Sequence, residues 1–262
     1  MVRRPLQRRW MLLLGLLSFL VLILGYTYLA YREQNLTIPT WAKLWKGVQT
    51  MVSIDRAGDR WLVVDSVATA KRFFIAMGIS VVGAILIGVH MGSVSVLEGA
   101  ALPLLSLLAK VVPTAAIAVF FVLFGTELEM FVGMIVFGIM PSMAISIYLA
   151  VKDVPEELIH KSYTLGASHM EVIWFVVFPS ILPKVFDAIR LQIGPALVFL
   201  VAAEVAVGDV GFGYRIRLLM RRLDMTVIYP YLAILAGFGF LMDYSLRGLR
   251  AWLCPWYKEG RS

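Results

Sequence analysis

The fold class this sequence predicts is all-α: a polytopic membrane protein of about six transmembrane helices. Two observations carry the prediction. Hydrophobic residues make up 60% of the chain and the mean hydropathy is +0.84, whereas a soluble domain is roughly 45–50% apolar. The charges are bunched between apolar runs, and each run is near the ~20 residues that cross a ~30 Å hydrocarbon core. A net charge of +7 would suggest nucleic acid in a soluble chain. Here the basic residues flank apolar spans, so membrane headgroups and topology account for them and no nucleic-acid partner is expected. The single cysteine, Cys254, excludes an internal disulfide and a cysteine metal cluster.

Taken in order, Arg3, Arg4, Arg8 and Arg9 precede an apolar run from Met11 to Tyr31. A cleavable signal peptide would have a shorter apolar region and a small residue in place of Tyr28, so a retained anchor with a cytoplasmic N-terminus is expected. Residues 32–66 are polar, with Trp41 and Trp45 suited to a membrane interface, and form an external segment. A second span covers about Val67–Met91, with Gly78, Gly83 and Gly88 allowing close helix approach and Lys71 and Arg72 snorkelling at its outer end. The third, about Ala100–Phe124, is broken by Pro103 and Pro113. The fourth, Leu128–Ala150, contains Pro141. A stretch with regular polar positions follows over Asp153–Arg190. The fifth span, Ala188–Val207, contains Pro195, and the sixth covers Thr226–Leu246. Six spans return the C-terminus to the cytoplasm, where Arg247, Arg250, Lys258 and Arg261 agree with it. Arg215, Arg217, Arg221 and Arg222 then fall in an outer loop, against the charge rule, unless that loop tucks into the protein.

The chemistry is marked by absences. No G-x-x-x-x-G-K-[ST] loop cradles nucleotide phosphates, and His90, His160 and His169 form no H-E-x-x-H pair. Gly166-Ala167-Ser168 lacks the closing glycine of a hydrolase elbow. No catalytic residue and no metal site is predicted. Two charges fall inside spans, Lys110 and Glu204. Such residues face a bundle or a water-filled path, or else snorkel, pair structurally or reach the interface. With Pro113, Ser142 and Tyr148 they are candidates for lining a translocation path. Prolines 103, 113, 141, 195 and 230 together favour a transporter, because broken helices expose backbone groups to a solute.

The stretch from Asp153 presents its own pattern. Pro155 opens a helix, Glu156 and Glu157 suit its positive end, and Leu158, Ile159, Ser162 and Leu165 recur at helical spacing. Gly166 ends it. A second short helix is expected over Met170–Phe178, stopped by Pro179 and Pro183. Two short helices around a glycine form a knob that meets a partner in water, or packs back on the protein's own spans.

Specific residues narrow the choice. Leu158-Ile159-His160-Lys161-Ser162-x-x-Leu165-Gly166-Ala167-Ser168 resembles the EAA loop of binding-protein-dependent ABC importer permeases, and Phe178-Pro179-x-x-Leu182-Pro183 resembles its closing part. Ala188-Ile189-Arg190-x-x-x-Gly194, Ala203-Glu204 and Gly211-Phe212-Gly213-Tyr214 resemble the next span of the nitrate/sulfonate/taurine subfamily. Pro113-x-x-Ala116, Phe124-Gly125 and Pro255-Trp256 fit as well. The likeness covers about residues 37–256. Where the family has Glu-Ala-Ala, this chain has His160-Lys161-Ser162, so the family's acidic contact is displaced toward Glu156 or Glu157.

The resemblance implies a type I ABC importer permease (MetI-like) in a bacterial inner membrane. The chain would be organised as 1–31 (N-terminal tail and first span), 32–66 (external segment), 67–250 (permease core with a coupling loop at 152–186) and 251–262 (cytoplasmic tail). Glu156, Glu157, His160, Lys161, Ser162, Leu165, Gly166, Ala167 and Ser168 would couple it to two cytoplasmic ABC ATPase subunits. Those subunits would hold ATP and Mg, with no cofactor in this chain. A second permease copy would complete a homodimer. An external or periplasmic solute-binding protein would deliver a small polar or anionic solute such as nitrate, a sulfonate, taurine or a related nitrogen compound. A secondary carrier without an ATPase, and more remotely an intramembrane hydrolase, are the competing readings.

Overall fold

A computed structural model of the chain describes residues 8–32, 38–53 and 60–257. Arg3, Arg4, Asp55, Arg56, Asp59, Lys258 and Arg261 lie outside the described residues, as do the side chains of Arg8 and Arg9. The fold is all-α, with five long apolar helices and one bent pair that together supply up to six spans.

Helix α1 (Arg8–Arg32) is apolar around its circumference and stands mostly away from the bundle, as expected of a helix solvated by lipid. It meets the rest of the protein near its end, where the Tyr26 hydroxyl donates to the Pro39 carbonyl at 2.7 Å. Helix α2 (Trp41–Val52) is amphipathic and lies against the last helix, with Gly47 tight on the Thr226 carbonyl. Thus the polar segment after the first span contains a packed helix.

The core is built from α3 (Trp61–Ser93), α6 (Leu128–Lys152) and α8 (His169–Val207). Helix α3 begins six residues before the expected Val67. Its glycines divide: Gly83 faces Met140 and Gly88 sits on the Ala144 carbonyl and Ile147, whereas the space a Cβ would take at Gly78 is open. Gly92, one turn beyond Gly88, packs on Val151. A Gly88-x-x-x-Gly92 pair therefore lets α6 approach closely, the usual use of small residues between membrane helices.

The third apolar run is two helices, α4 (Ser95–Leu108) and α5 (Ile117–Phe124), bent by 76° with a 3₁₀ turn, Pro113–Ala116, between them. The break falls at residues 109–112, just ahead of Pro113, which starts the 3₁₀ turn. Pro103 sits inside α4 without ending it.

Two expectations for the following stretch are corrected. Helix α7 spans Glu156–Thr164 with Pro155 as its N-cap, but no separate short helix ends at Pro179. Instead α8 runs unbroken from His169 to Val207 through a π-turn at Val172–Val177. The ring of a proline at 179 clashes with the carbonyl of residue 175 in regular helix, and the wider π-turn precedes that point. Ile173, Val177, Ile181 and Val185 are buried core residues, so the exposed part of the stretch narrows to α7 and its turn, with Val154 buried just before it.

The last elements are α9 (Phe212–Arg221) and α10 (Met225–Leu253). Helix α9 is the tucked alternative for the basic loop: Phe212, Ile216 and Leu219 are buried with Tyr231 and Met51.

Candidate functional site

The first candidate is the elbow that α7 forms at one end of the bundle. None of its residues is buried. Only Ile159 and Ser162 turn partly inward; Leu158 and Leu165, expected on the same apolar face, are exposed, Leu165 by 88%. Glu156, Glu157, His160, Lys161, Gly166 and Ser168 are exposed and Ala167 is half-buried. The turn itself is tightly specified. Gly166 has φ +88°, a conformation costly for any residue with a Cβ. The Ala167 amide donates to the Ser162 carbonyl at 3.1 Å and the Gly166 amide to Tyr163 at 3.0 Å, the bond pair of a Schellman end. Ser168 then caps the next helix: its amide donates to Glu171 Oε2 at 2.7 Å, and the Glu171 amide returns to Ser168 Oγ. That capping box was legible as Ser-x-x-Glu. The Tyr163 hydroxyl and His169 Nδ1 lie 2.7 Å apart across the turn, with their rings stacked.

The elbow is tied to the spans on both sides. Lys152 pairs with Glu98 of α4 at 2.7 Å, and Asp153 with Lys184 of α8 at 2.7 Å. Tyr148 adds a hydrogen bond to Glu98.

The predicted path residues do not converge. Lys110 is exposed, in the break between α4 and α5. Pro113 is buried close to Gly138 and Phe199. Ser142 donates back to the Ile139 carbonyl of its own helix at 3.0 Å. Tyr148 is engaged with Glu98. Glu204 is wholly buried and does not meet Lys110: it pairs with Arg72 at 2.9 Å and accepts from Thr69 at 2.9 Å and from the Gly213 amide at 2.9 Å.

Glu204 belongs to a polar bolt at the end opposite the elbow, most of which sequence reasoning missed. Asp65, also wholly buried, accepts from Arg215 Nε at 2.9 Å, from the Tyr231 hydroxyl at 2.8 Å and from the Gly211 amide at 3.2 Å. Thr69 links the halves by accepting from the Phe212 amide at 3.1 Å. Arg72, expected to snorkel, is instead held by Glu204 and by the Val210 carbonyl at 2.6 Å, stacked over Phe131. Arg217 donates to the carbonyls of Val205, Ala206 and Gly208. Burial works against the charge of Arg215, but the hydrogen bond and charge of Asp65 outweigh it and raise its pKa. Among the described residues, no buried side-chain nitrogen or oxygen lacks a partner. Asp65, Thr69 and Arg72 stand at i, i+4 and i+7, one helix face, and that spacing was the signal available.

This architecture has known counterparts. Residues 80–259 match the family described as binding-protein-dependent transport system inner membrane component. The taurine transport system permease protein TauC of Escherichia coli (strain K12) is 27% identical over 257 residues, covering 98% of this chain and 94% of that protein. The bicarbonate transport system permease protein CmpB of Synechocystis is 23% identical, covering 96% of this chain and 94% of that one. Among solved structures, an inward-facing conformation of the MetNI methionine ABC transporter superposes with a TM-score of 0.65 at 18% identity, covering 76% of this chain and 99% of that one. The likeness to that structure is one of fold.

Proposed function

The chain belongs to the family of inner membrane components of binding-protein-dependent transport systems, and on that premise we propose that the α7 elbow is where an ATPase drives it. As a permease subunit of an ABC importer, the protein forms a solute path through the membrane. In our reading, two separate ATPase subunits bind and hydrolyse ATP with Mg, and their closing movement is received by α7. The observation that carries this is the elbow itself: a helix with no buried residue, ended by a specified left-handed glycine and tipped by an apolar residue exposed by 88%. Structure of that precision exposed to water suits a partner groove. Lys152 and Asp153, immediately before α7, engage α4 and α8, so a push on the elbow reaches two spans at once.

The partner face differs from the family's acidic pattern, presenting His160 and Lys161 beside Glu156 and Glu157; the ATPase groove it fits carries charges matched to that mixture. The elbow end, with both termini, faces the cytoplasm. Two permease copies pair, and an external binding protein delivers the solute at the α9 end. A small polar or anionic solute is supported by the relatives named for taurine and bicarbonate transport and by Lys110, the exposed charge at a helix break within a span. A helix break within a span suits a path. Ser142 and Tyr148 are satisfied within the fold and serve as wall rather than as ligands, and Glu204 holds the bundle together.

Reconstitution with the ATPase and binding protein tests the coupling. Gly166→Trp is expected to insert and assemble normally, and to keep ATP hydrolysis while losing solute uptake. Wild-type uptake by that variant overturns the coupling role of the elbow.

A further inference from the structure

Where the middle of α8 meets the last turns of α10, three guanidinium groups gather around a pocket of about 460 Å³ lined by Arg190, Arg247, Arg250, Ala251, Cys254 and Tyr257. We propose that this pocket is a binding site for the phosphate of an anionic phospholipid in the leaflet on the elbow side. The inference rests on the proposed membrane orientation, but not on the coupling to an ATPase.

Three features of the pocket support a phosphate ligand. Its charge is the first: three guanidinium groups line the pocket, and among the described residues the carboxylates paired with them are Asp187 and Asp243. The second is preorganisation. Arg190 is held by Asp243 at 2.7 Å and Asp187 at 3.0 Å, Arg250 by Asp187, and Arg247 by Asp243 at 2.8 Å. The carboxylates fix the planar groups in place, which lowers the entropy lost when a phosphate takes further N–H donors. Arg247 remains half exposed and reaches toward solvent.

The third feature is depth. Trp252 and Trp256, on either side of Cys254 in the chain, are 76% and 59% exposed. Exposed tryptophans at the end of a span sit at headgroup level, and basic pockets between spans on the cytoplasmic side suit anionic headgroups. The pocket is thus at the height of lipid phosphates.

The test uses the full-length protein in detergent, with bound lipid read by native mass spectrometry. Phosphatidylglycerol is expected to be retained in preference to phosphatidylcholine of the same chains. Arg247 is half exposed, pairing with Asp243 and lying over the Tyr244 ring on its own helix, so Arg247→Gln should fold, and losing one cation at the leaflet should weaken phosphatidylglycerol retention about fivefold. Arg247→Lys should restore part of it. Lys71→Gln, at the opposite end, should leave retention unchanged. Equal retention of the two lipids, wild-type retention by Arg247→Gln, or an equal loss in Lys71→Gln would each overturn the proposal. A fourth arm adds inorganic phosphate: competition at millimolar concentration without any lipid preference identifies a free-phosphate site and refutes the lipid assignment. A protein that retains phosphatidylglycerol but fails in ATP-driven uptake separates this inference from the coupling reading.

Discussion

Glu204 and Lys110 carry the contrast at the scale of single residues. Both are charges inside apolar runs and both are legible as such in the sequence, yet their partners are not. Pairing across 132 residues, Arg72 to Glu204, is a property of the packed bundle. Glu204→Ala leaves Arg72 largely buried with only the exposed Asp209, at 3.6 Å, as counter-charge, which costs about 3 kcal/mol. Thermal unfolding in detergent should show it as a large loss of stability, with uptake lost as a consequence. Lys110→Ala removes an exposed side chain, so stability should stay within about 0.5 kcal/mol while uptake falls. Wild-type uptake by Lys110→Ala would remove Lys110 from the path. Asp65 falls in a polar stretch of sequence that reads as external, because its burial depends on α9 folding back over it; the i, i+4, i+7 spacing with Thr69 and Arg72 holds the hint.

At the scale of elements, the position of α7 and its end at Gly166 can be read from the sequence because both follow from local chemistry: paired glutamates at the start, a glycine at the finish. The continuity of α8 cannot. Pro179 and Pro183 argue locally for a stop, and the buried contacts of Ile173, Val177 and Ile181 with the core outweigh that local preference. Space around Gly166 is open, with no neighbouring atom within 4 Å of the place a Cβ would take, so the demand on position 166 is one of backbone conformation alone. Gly166→Asn should therefore retain more coupled uptake than Gly166→Val, since asparagine tolerates the left-handed region and a β-branched residue does not. Equal uptake by the two variants would show that the turn tolerates either conformation. Between α3 and α6 the demand is space. Gly88→Leu pushes into the Ala144 carbonyl and Ile147, and overpacking of that kind costs about 1–3 kcal/mol, measurable as a lowered unfolding midpoint.

For the whole molecule, counting apolar runs identifies the membrane class and the number of spans, and the charge rule falters only at Arg215–Arg222. The fold accounts for two of those four arginines, because Arg215 is paired with Asp65 and Arg217 is held by backbone carbonyls, whereas Arg221 and Arg222 are exposed. The six-span orientation predicts that cysteines placed at Glu157 and Asp209 are labelled from opposite sides of the membrane. Background labelling should be slow, since Cys254 is buried and burial pushes its thiol pKa up. With Cys254→Ser as parent, Asp209→Cys should react with an impermeant maleimide in intact cells and Glu157→Cys only after permeabilisation. Labelling of both from outside would contradict the orientation.

Everything proposed for the mechanism depends on the exposed tip of α7 sitting in a groove of an ATPase subunit. Site-directed cross-linking from Leu165 decides the point: Leu165→Cys in the Cys254→Ser background, carrying a short photoactivatable thiol probe, in membranes that contain the co-expressed ATPase. We expect a cross-link to the ATPase whose yield changes with ATP, and none from the same probe at Asp209→Cys. A Leu165 probe that cross-links only to the permease itself, in a complex that hydrolyses ATP and transports, would refute the docking of α7.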